Sequence, residues 1–373
     1  ENLENTFAAT LDSSVKADVF YARARKYSSS LESALDSDNI STNVYNNLID
    51  TVSNNLEPLH EYMSLKKNVL DLEELHIYDT YTPLIKEIDL KFEYEKCKDI
   101  IKKAVAPLGE DYVETVEKGF NSGWIDVYEN KGKRSGAYSS GCYGVHPYIL
   151  MNYTQDISNL FTLIHEMGHA MHSYHSNKNQ PYLYADYKIF VAEVASTLNE
   201  NLLLDYMLEN AENKEEKLYL LNYFLESFRG TVYRQTMFAE FEKMIHESVE
   251  NGESLTSQAM KSMYRKLNQK YFGSELVIDE KLDYEWARIP HFYYNFYVYK
   301  YATGFSAATA LAEKIQNEGE KAAADYLGFL KAGGSDYPLN ILKNAGVDME
   351  KSAALENAAQ KFDKYLNELK DLI

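Results

Sequence analysis

Apolar residues recur at three- and four-residue spacing along most of the chain, the signature of amphipathic helices. In the first 118 residues this spacing predicts successive helices. Val44, Leu48, Val52, Leu56 and Leu59 form one stripe, with Ser41 or Thr42 placed to cap its start and Pro58 placed to kink or end it. The stretch 71–81 reads as a break, and His60 and His76 as histidines of the surface or core edge. The pattern changes at 122–153. Trp124, Ile125, Val127 and Tyr128, then Ala137 and Tyr138, then Tyr148, Ile149, Leu150 and Met151 are β-favouring clusters. Gly123, Gly132, Gly136, Gly141 and Gly144 separate them, predicting two or three short antiparallel strands. The helical period returns over 157–172 through Ile157, Leu160, Phe161, Ile164, Met167 and Met171, with Asp156 or Ser158 as cap. A loop at 176–186 containing Pro181 separates it from a further helix through Phe190, Val191 and Val194. Helices are then expected at 214–250, 255–271, 305–315 and 353–372, with a turn at 331–335. The fold class is mainly α with one small sheet. No internal repeat or low-complexity linker marks a domain boundary.

Composition narrows the function. With 45% hydrophobic and 25% charged residues the 373-residue chain is an ordinary globular protein, large enough for a sizeable core. A net charge of −19 disfavours nucleic acid and anionic membranes as partners. Two cysteines, Cys97 and Cys142, make no disulfide framework, so a reducing compartment, the cytoplasm, is the expected location. No apolar run approaches a membrane span. The sequence opens on Glu rather than Met, and is expected to be part of something longer.

The helix at 157–172 carries His165-Glu166-Met167-Gly168-His169, an H-E-x-x-H arrangement. Histidines four apart lie on one helix face, roughly 6 Å apart along the axis, where both imidazoles can share one cation with Glu166 beside it. A catalytic zinc needs a third protein ligand and an open position. His175 has the offset of the H-E-x-x-H-x-x-G-x-x-H type, but His172 stands where that type needs Gly, so His175 is carried round the helix and misses. Glu193, on the following helix among Phe190, Val191, Val194 and Ala195, completes a His₂Glu set if the two helices are antiparallel. Glu200, two turns on, is placed to orient a ligand histidine, and His172 to form a pocket wall. One Zn²⁺ held this way acidifies its water, with Glu166 as general base. The developing oxyanion needs further donors. The segment 291–304 offers His291 and Tyr294 first, then Tyr297 and Tyr301, with Tyr299 also present and Phe292 and Phe296 as core fillers. An edge strand through Gly136, Ala137, Tyr138 and Gly141 could pair with an extended peptide substrate.

H-E-M-G-H-A-M-H, F-V-A-E-V-A-S-T-L-N-E and H-F-Y-Y-N-F-Y-V-Y-K-Y-A-T-G together resemble the thimet-oligopeptidase-like zinc metallopeptidases, most closely the oligoendopeptidase F branch. W-I-D-V-Y-E-N-K-G-K-R-S-G-A-Y and K-A-G-G-S-D-Y-P-L are similar to that branch too, so the resemblance covers nearly the whole chain. It implies zinc on His165, His169 and Glu193, Glu166 as base, and oxyanion donors within 291–301. The His–Tyr spacing is shorter than in the thimet branch, which leaves the choice among the tyrosines open. The implied fold is a helical, zincin-like bowl with a deep channel admitting short peptides. Residues 1–95 would be the family's helical region, shortened at its start, and 96–373 the catalytic domain. The expected function is a zinc endopeptidase for short unstructured peptides. The alternatives are a zinc carboxypeptidase or aminopeptidase on a related scaffold, or a peptide-binding module without turnover.

Overall fold

In the computed structural model, residues 2–85 and 91–373 are described. The chain is mainly helical and divides into two compact units: Glu1–Lys86 with Asn222–Thr303 and Glu350–Ile373, and Glu87–Leu221 with Gly304–Met349. Among the described residues no helix is long and apolar enough to cross a membrane.

In the first unit, Ser41 caps helix Thr42–Asn54 by accepting the Asn43 N–H. That helix stops before Pro58, which instead sits in the first turn of the next, Glu57–Val69, where its missing N–H leaves no helical bond unmade. The break at 71–81 holds the two-residue strand Leu75–His76, paired in parallel with Leu276–Val277, and the 3₁₀ turn Ile77–Tyr81. His76 bonds Asp279 through Nδ1 at 2.9 Å, and His60 reaches the Lys270 carbonyl at 3.2 Å, so both histidines tie segments together. The helix expected at 214–250 is interrupted by a π turn, Arg229–Tyr233, between Lys214–Phe228 and Arg234–Glu250. There Glu226 receives Lys66 Nζ at 2.7 Å and Arg229 Nη2 at 2.6 Å, which explains how Lys66 is 1% exposed. The closing helix, Ala353–Leu372, buries Phe362, Leu366 and Leu369.

In the second unit the strand order is Ile125–Asp126, Tyr148–Leu150, Tyr138–Ser140. Only the pair 138–140 with 148–150 is antiparallel; Ile125–Asp126 runs parallel to the central strand, so the sheet is mixed. The connection between those two parallel strands is long enough for a crossover, and its own strand takes the hairpin position. The next helix, Ile157–Asn179, starts at Asp156, whose side chain accepts the Asn159 N–H at 2.8 Å. It outlasts its expected end because nothing before Pro181 stops a helix. After the 3₁₀ turn Tyr182–Tyr184 comes Ile189–Glu209, which packs along it. Leu160, Phe161, Ile164, Met167 and Met171 are fully buried, each stabilising the unit by up to roughly 1.5–3 kcal/mol. Helix Glu320–Ala332 also packs on Ile157–Asn179 and ends at Gly333, φ 51°, where a Cβ would lie 2.3 Å from the Tyr184 carbonyl oxygen. The turn expected at 331–335 thus closes on the loop before Ile189–Glu209, and Gly334 N–H bonds that same carbonyl at 2.8 Å.

Candidate metal centre

Helix Ile157–Asn179 puts His165 and His169 on one face, their rings 4.8 Å apart and nearly perpendicular. Between them, Gly168 faces the next helix at backbone contact: a Cβ there would lie 2.6 Å from Ser196 Cα and 2.7 Å from the Ala195 carbonyl oxygen. This close approach brings Glu193 up to the histidines. Its Oε2 stands 3.5 Å from His165 Nε2 and 3.6 Å from His169 Nε2. In a tetrahedral site with bonds of about 2.0–2.2 Å, ligand atoms are separated by about 3.3–3.6 Å. Two imidazole nitrogens and a carboxylate oxygen at that separation fit a zinc-type ion. Among the described residues these three are the group of His, Cys, Asp or Glu close enough to hold a metal.

Neighbouring groups orient the donors. The Glu200 carboxylate bonds His165 Nδ1, which leaves Nε2 as the lone-pair donor facing the trio. Ser196 Oγ donates to Glu193 Oε2 at 3.1 Å. Burial pushes the Glu193 carboxyl up, but the bond and charge of His169, the charge of His165 and the Ser196 hydroxyl outweigh it and hold it at about 2. Burial pulls the His165 imidazole down, yet Glu200, Glu193 and Glu166 together lift it to about 9. Carboxylates around two imidazoles make a site that attracts cations. Glu166, buried beside the trio, has its carboxyl raised by burial, partly offset by His165, His169 and the Ser139 backbone N–H. A raised carboxyl next to a metal site has the character of a general base.

The other residues singled out by the sequence fall in distinct places. His172 is 1% exposed, stacked 3.6 Å from Tyr187 and against Phe329, inside the helix packing. His175 stacks on Tyr112 and stays outside the trio. Gly136, φ 91°, leads into Ala137 and the edge strand with Tyr138, which is exposed. The Asn152 amide fixes that approach by donating to the Arg134 and Gly136 carbonyls at 2.9 and 2.8 Å. A Cβ on Gly141 would make only ordinary contact with Ser173, so close approach does not demand glycine there.

In the first unit, His291 forms one cluster with Tyr294, Tyr297 and Tyr301. Ring centroids lie 5.8, 6.1 and 5.8 Å from the imidazole, and Tyr301 OH stands 3.3 Å from His291 Nε2. Tyr294 is the exposed member. Tyr299 leaves this set: it is fully buried against Tyr45, joining Phe292 and Phe296 in the core. The sequence reading missed Gly168, Ser196, Ser139 and Asn152. Ser196, one turn after Glu193, carries a signal in its spacing; Ser139 acts through its backbone and carries none.

The sequence matches Peptidase family M3 over residues 1–361. It is 54% identical to the oligopeptidase PepF of Bacillus subtilis over 370 residues, 99% of this chain and 55% of that protein. A crystal structure from Chlamydophila abortus superposes with a TM-score of 0.94 at 46% identity, and oligoendopeptidase-F from Enterococcus faecium with 0.82 at 41%. Each covers 100% of this chain, which spans 62% and 60% of those chains in turn. The chain therefore spans somewhat over half the length of these relatives. On the match over residues 1–361, the chain belongs to peptidase family M3, a metallopeptidase family.

Proposed function

We propose that the protein is a zinc endopeptidase hydrolysing internal bonds of short unstructured peptides. The observation that carries this reading is the His165, His169 and Glu193 donor set, with Glu166 beside it. The names of its relatives, an oligopeptidase and an oligoendopeptidase, point the same way. A zinc ion held by the three would supply Lewis acidity, polarising a substrate carbonyl and acidifying water towards a pKa of ~7. Glu166 takes the proton from the attacking water and returns it to the leaving amine. Glu200 keeps His165 in the tautomer that presents Nε2. The family resemblance, rather than any contact, assigns the oxyanion donors to His291 and Tyr294, backed by Tyr297 and Tyr301. The strand edge at Gly136, Ala137, Tyr138 and Gly141 receives an extended substrate backbone. Cys97 and Cys142 are free thiols, which supports work in a reducing compartment such as the cytoplasm.

The test is an N-acetylated, C-amidated peptide of about ten residues given to the zinc-loaded protein. Internal cleavage, abolished by a chelator and restored by zinc, is expected. Cleavage only of peptides with a free terminus would replace this reading with an exopeptidase, and zinc binding without any turnover with a binding module.

A further inference from the structure

Two successive residues in left-handed backbone interrupt the tyrosine-rich segment: Asn295 at φ 44° and Phe296 at φ 58°. Asn tolerates this region, but for a bulky aromatic it is a strained outlier that persists only where the surroundings impose it. Those surroundings lie within the first unit. The Phe296 N–H donates to Glu242 Oε1 at 2.6 Å. The Phe296 ring is buried, 5.5 Å edge-on from Tyr45 and 4.4 Å from His246. Glu242, on helix Arg234–Glu250, is fully buried, and its second carboxylate oxygen has no hydrogen-bond partner. Packing alone would place an apolar side chain there, because a buried carboxylate is costly to keep for a single backbone N–H. The place of that N–H explains the choice. His291 and Tyr294 precede the left-handed pair, and Tyr297 and Tyr301 follow it. The dihedrals of residues 295 and 296 therefore set the relative directions of the flanking side chains. Relaxation of either to negative φ would turn His291 and Tyr294 away from Tyr297 and Tyr301.

We propose that Glu242 is a positioning residue: through the Phe296 N–H it latches the 295–296 turn in its left-handed form and keeps His291, Tyr294 and Tyr297 aimed as one donor set. What that set acts on rests on the peptidase reading; the latch itself does not. Glu242 touches no reacting atom in this scheme. It acts through the backbone, so any side chain offering an acceptor at the same place serves.

The experiment compares Glu242→Gln with Glu242→Met in the intact zinc-loaded protein. The two side chains have similar volume and differ in the acceptor. Phe296→Gly, which accepts positive φ without strain but removes the ring anchor, is the second line should the Met variant fold poorly. The readouts are kcat and KM on a blocked peptide, zinc per chain, and amide hydrogen exchange over residues 292–298. The Gln variant should keep kcat within about threefold of the parent, with unchanged exchange. The Met and Gly variants should lose roughly tenfold or more in kcat at nearly constant KM and full zinc, with faster exchange confined to that segment. A Met variant matching Gln in kcat and exchange would overturn the proposal, as would parallel loss of kcat, KM and zinc in all three. Parent protein without turnover would remove the peptidase reading and the donor role with it, while exchange would still decide whether Glu242 holds the turn.

Discussion

A methyl group on Gly168 would stand 2.6 Å from the Cα of Ser196. Gly168 is one of the two unspecified positions of the H-E-x-x-H pattern, yet it sets the spacing between the two helices that carry His165, His169 and Glu193. Substitution by Ala forces them apart or tilts them, at a cost of about 1–3 kcal/mol. The displacement falls on Ser196, one turn from Glu193. Gly168→Ala is therefore expected to weaken zinc binding by roughly tenfold or more, with the helical circular dichroism little changed. Competition against a chromophoric chelator measures it. Parent-like zinc affinity would show that the close approach does not set the ligand geometry.

Much of this centre was legible in the sequence because it rests on helical periodicity. His165 and His169 follow from the helix repeat, and Glu193 from an apolar helix that has no other use for a carboxylate. Glu200 follows from the same face two turns on. What escaped depends on tertiary contact. β-propensity marks Ile125 and Tyr148 as strand residues but does not tell which way they run past each other. The helix continues beyond His172 because an end needs a breaker, and the first one is Pro181. Phe296 has no local preference for left-handed backbone; Glu242, from a helix 54 positions away in sequence, imposes it.

On the proposed function, Glu166 is separable from the zinc ligands. Glu166→Gln keeps the shape of the side chain and loses the base. The expected outcome is an unchanged zinc content with kcat lower by two or more orders of magnitude, roughly the contribution of a positioned base. Zinc analysis and turnover on the same preparation test it. Activity within about tenfold of the parent would remove Glu166 from the base role.

On the proposed function, Glu200 acts on the metal through its contact with His165. Glu200→Gln retains an oxygen near Nδ1 but not the charge, so the imidazole becomes a weaker and less well oriented ligand. Zinc affinity is expected to fall by roughly 10- to 100-fold. At saturating zinc most of the activity should return, which separates this variant from Glu166→Gln. A variant as tight as the parent would make the Glu200 contact incidental.

Two buried groups shape the pH dependence of stability from opposite sides. Burial pushes the His175 imidazole down to about 4, with Lys331 and Lys178 adding to the effect and Asp111 opposing it. Below its ordinary value near 6.5 the unfolded chain takes up the proton first, so stability present above that pH is lost as pH falls towards 4. At about 1.4 kcal/mol per unit this amounts to about 3 kcal/mol. Burial pushes the Glu242 carboxyl up to about 7, against the pull of His246 and the Phe296 N–H and with Asp18 adding to the rise. Here the folded chain holds the proton more tightly, so the stability present below about pH 4.5 is lost as pH rises through 7, again by about 3 kcal/mol. Urea unfolding midpoints from pH 4 to pH 8 should resolve both. His175→Phe, which keeps a ring against Tyr112, should flatten the acid limb alone. Glu242→Gln should match the parent near pH 4.5 and exceed it at pH 8, because the amide keeps an acceptor for Phe296 and carries no charge into the core. A Glu242→Gln midpoint below the parent's at pH 8 would mean that the carboxylate stabilises the fold, contrary to the direction that burial imposes on it.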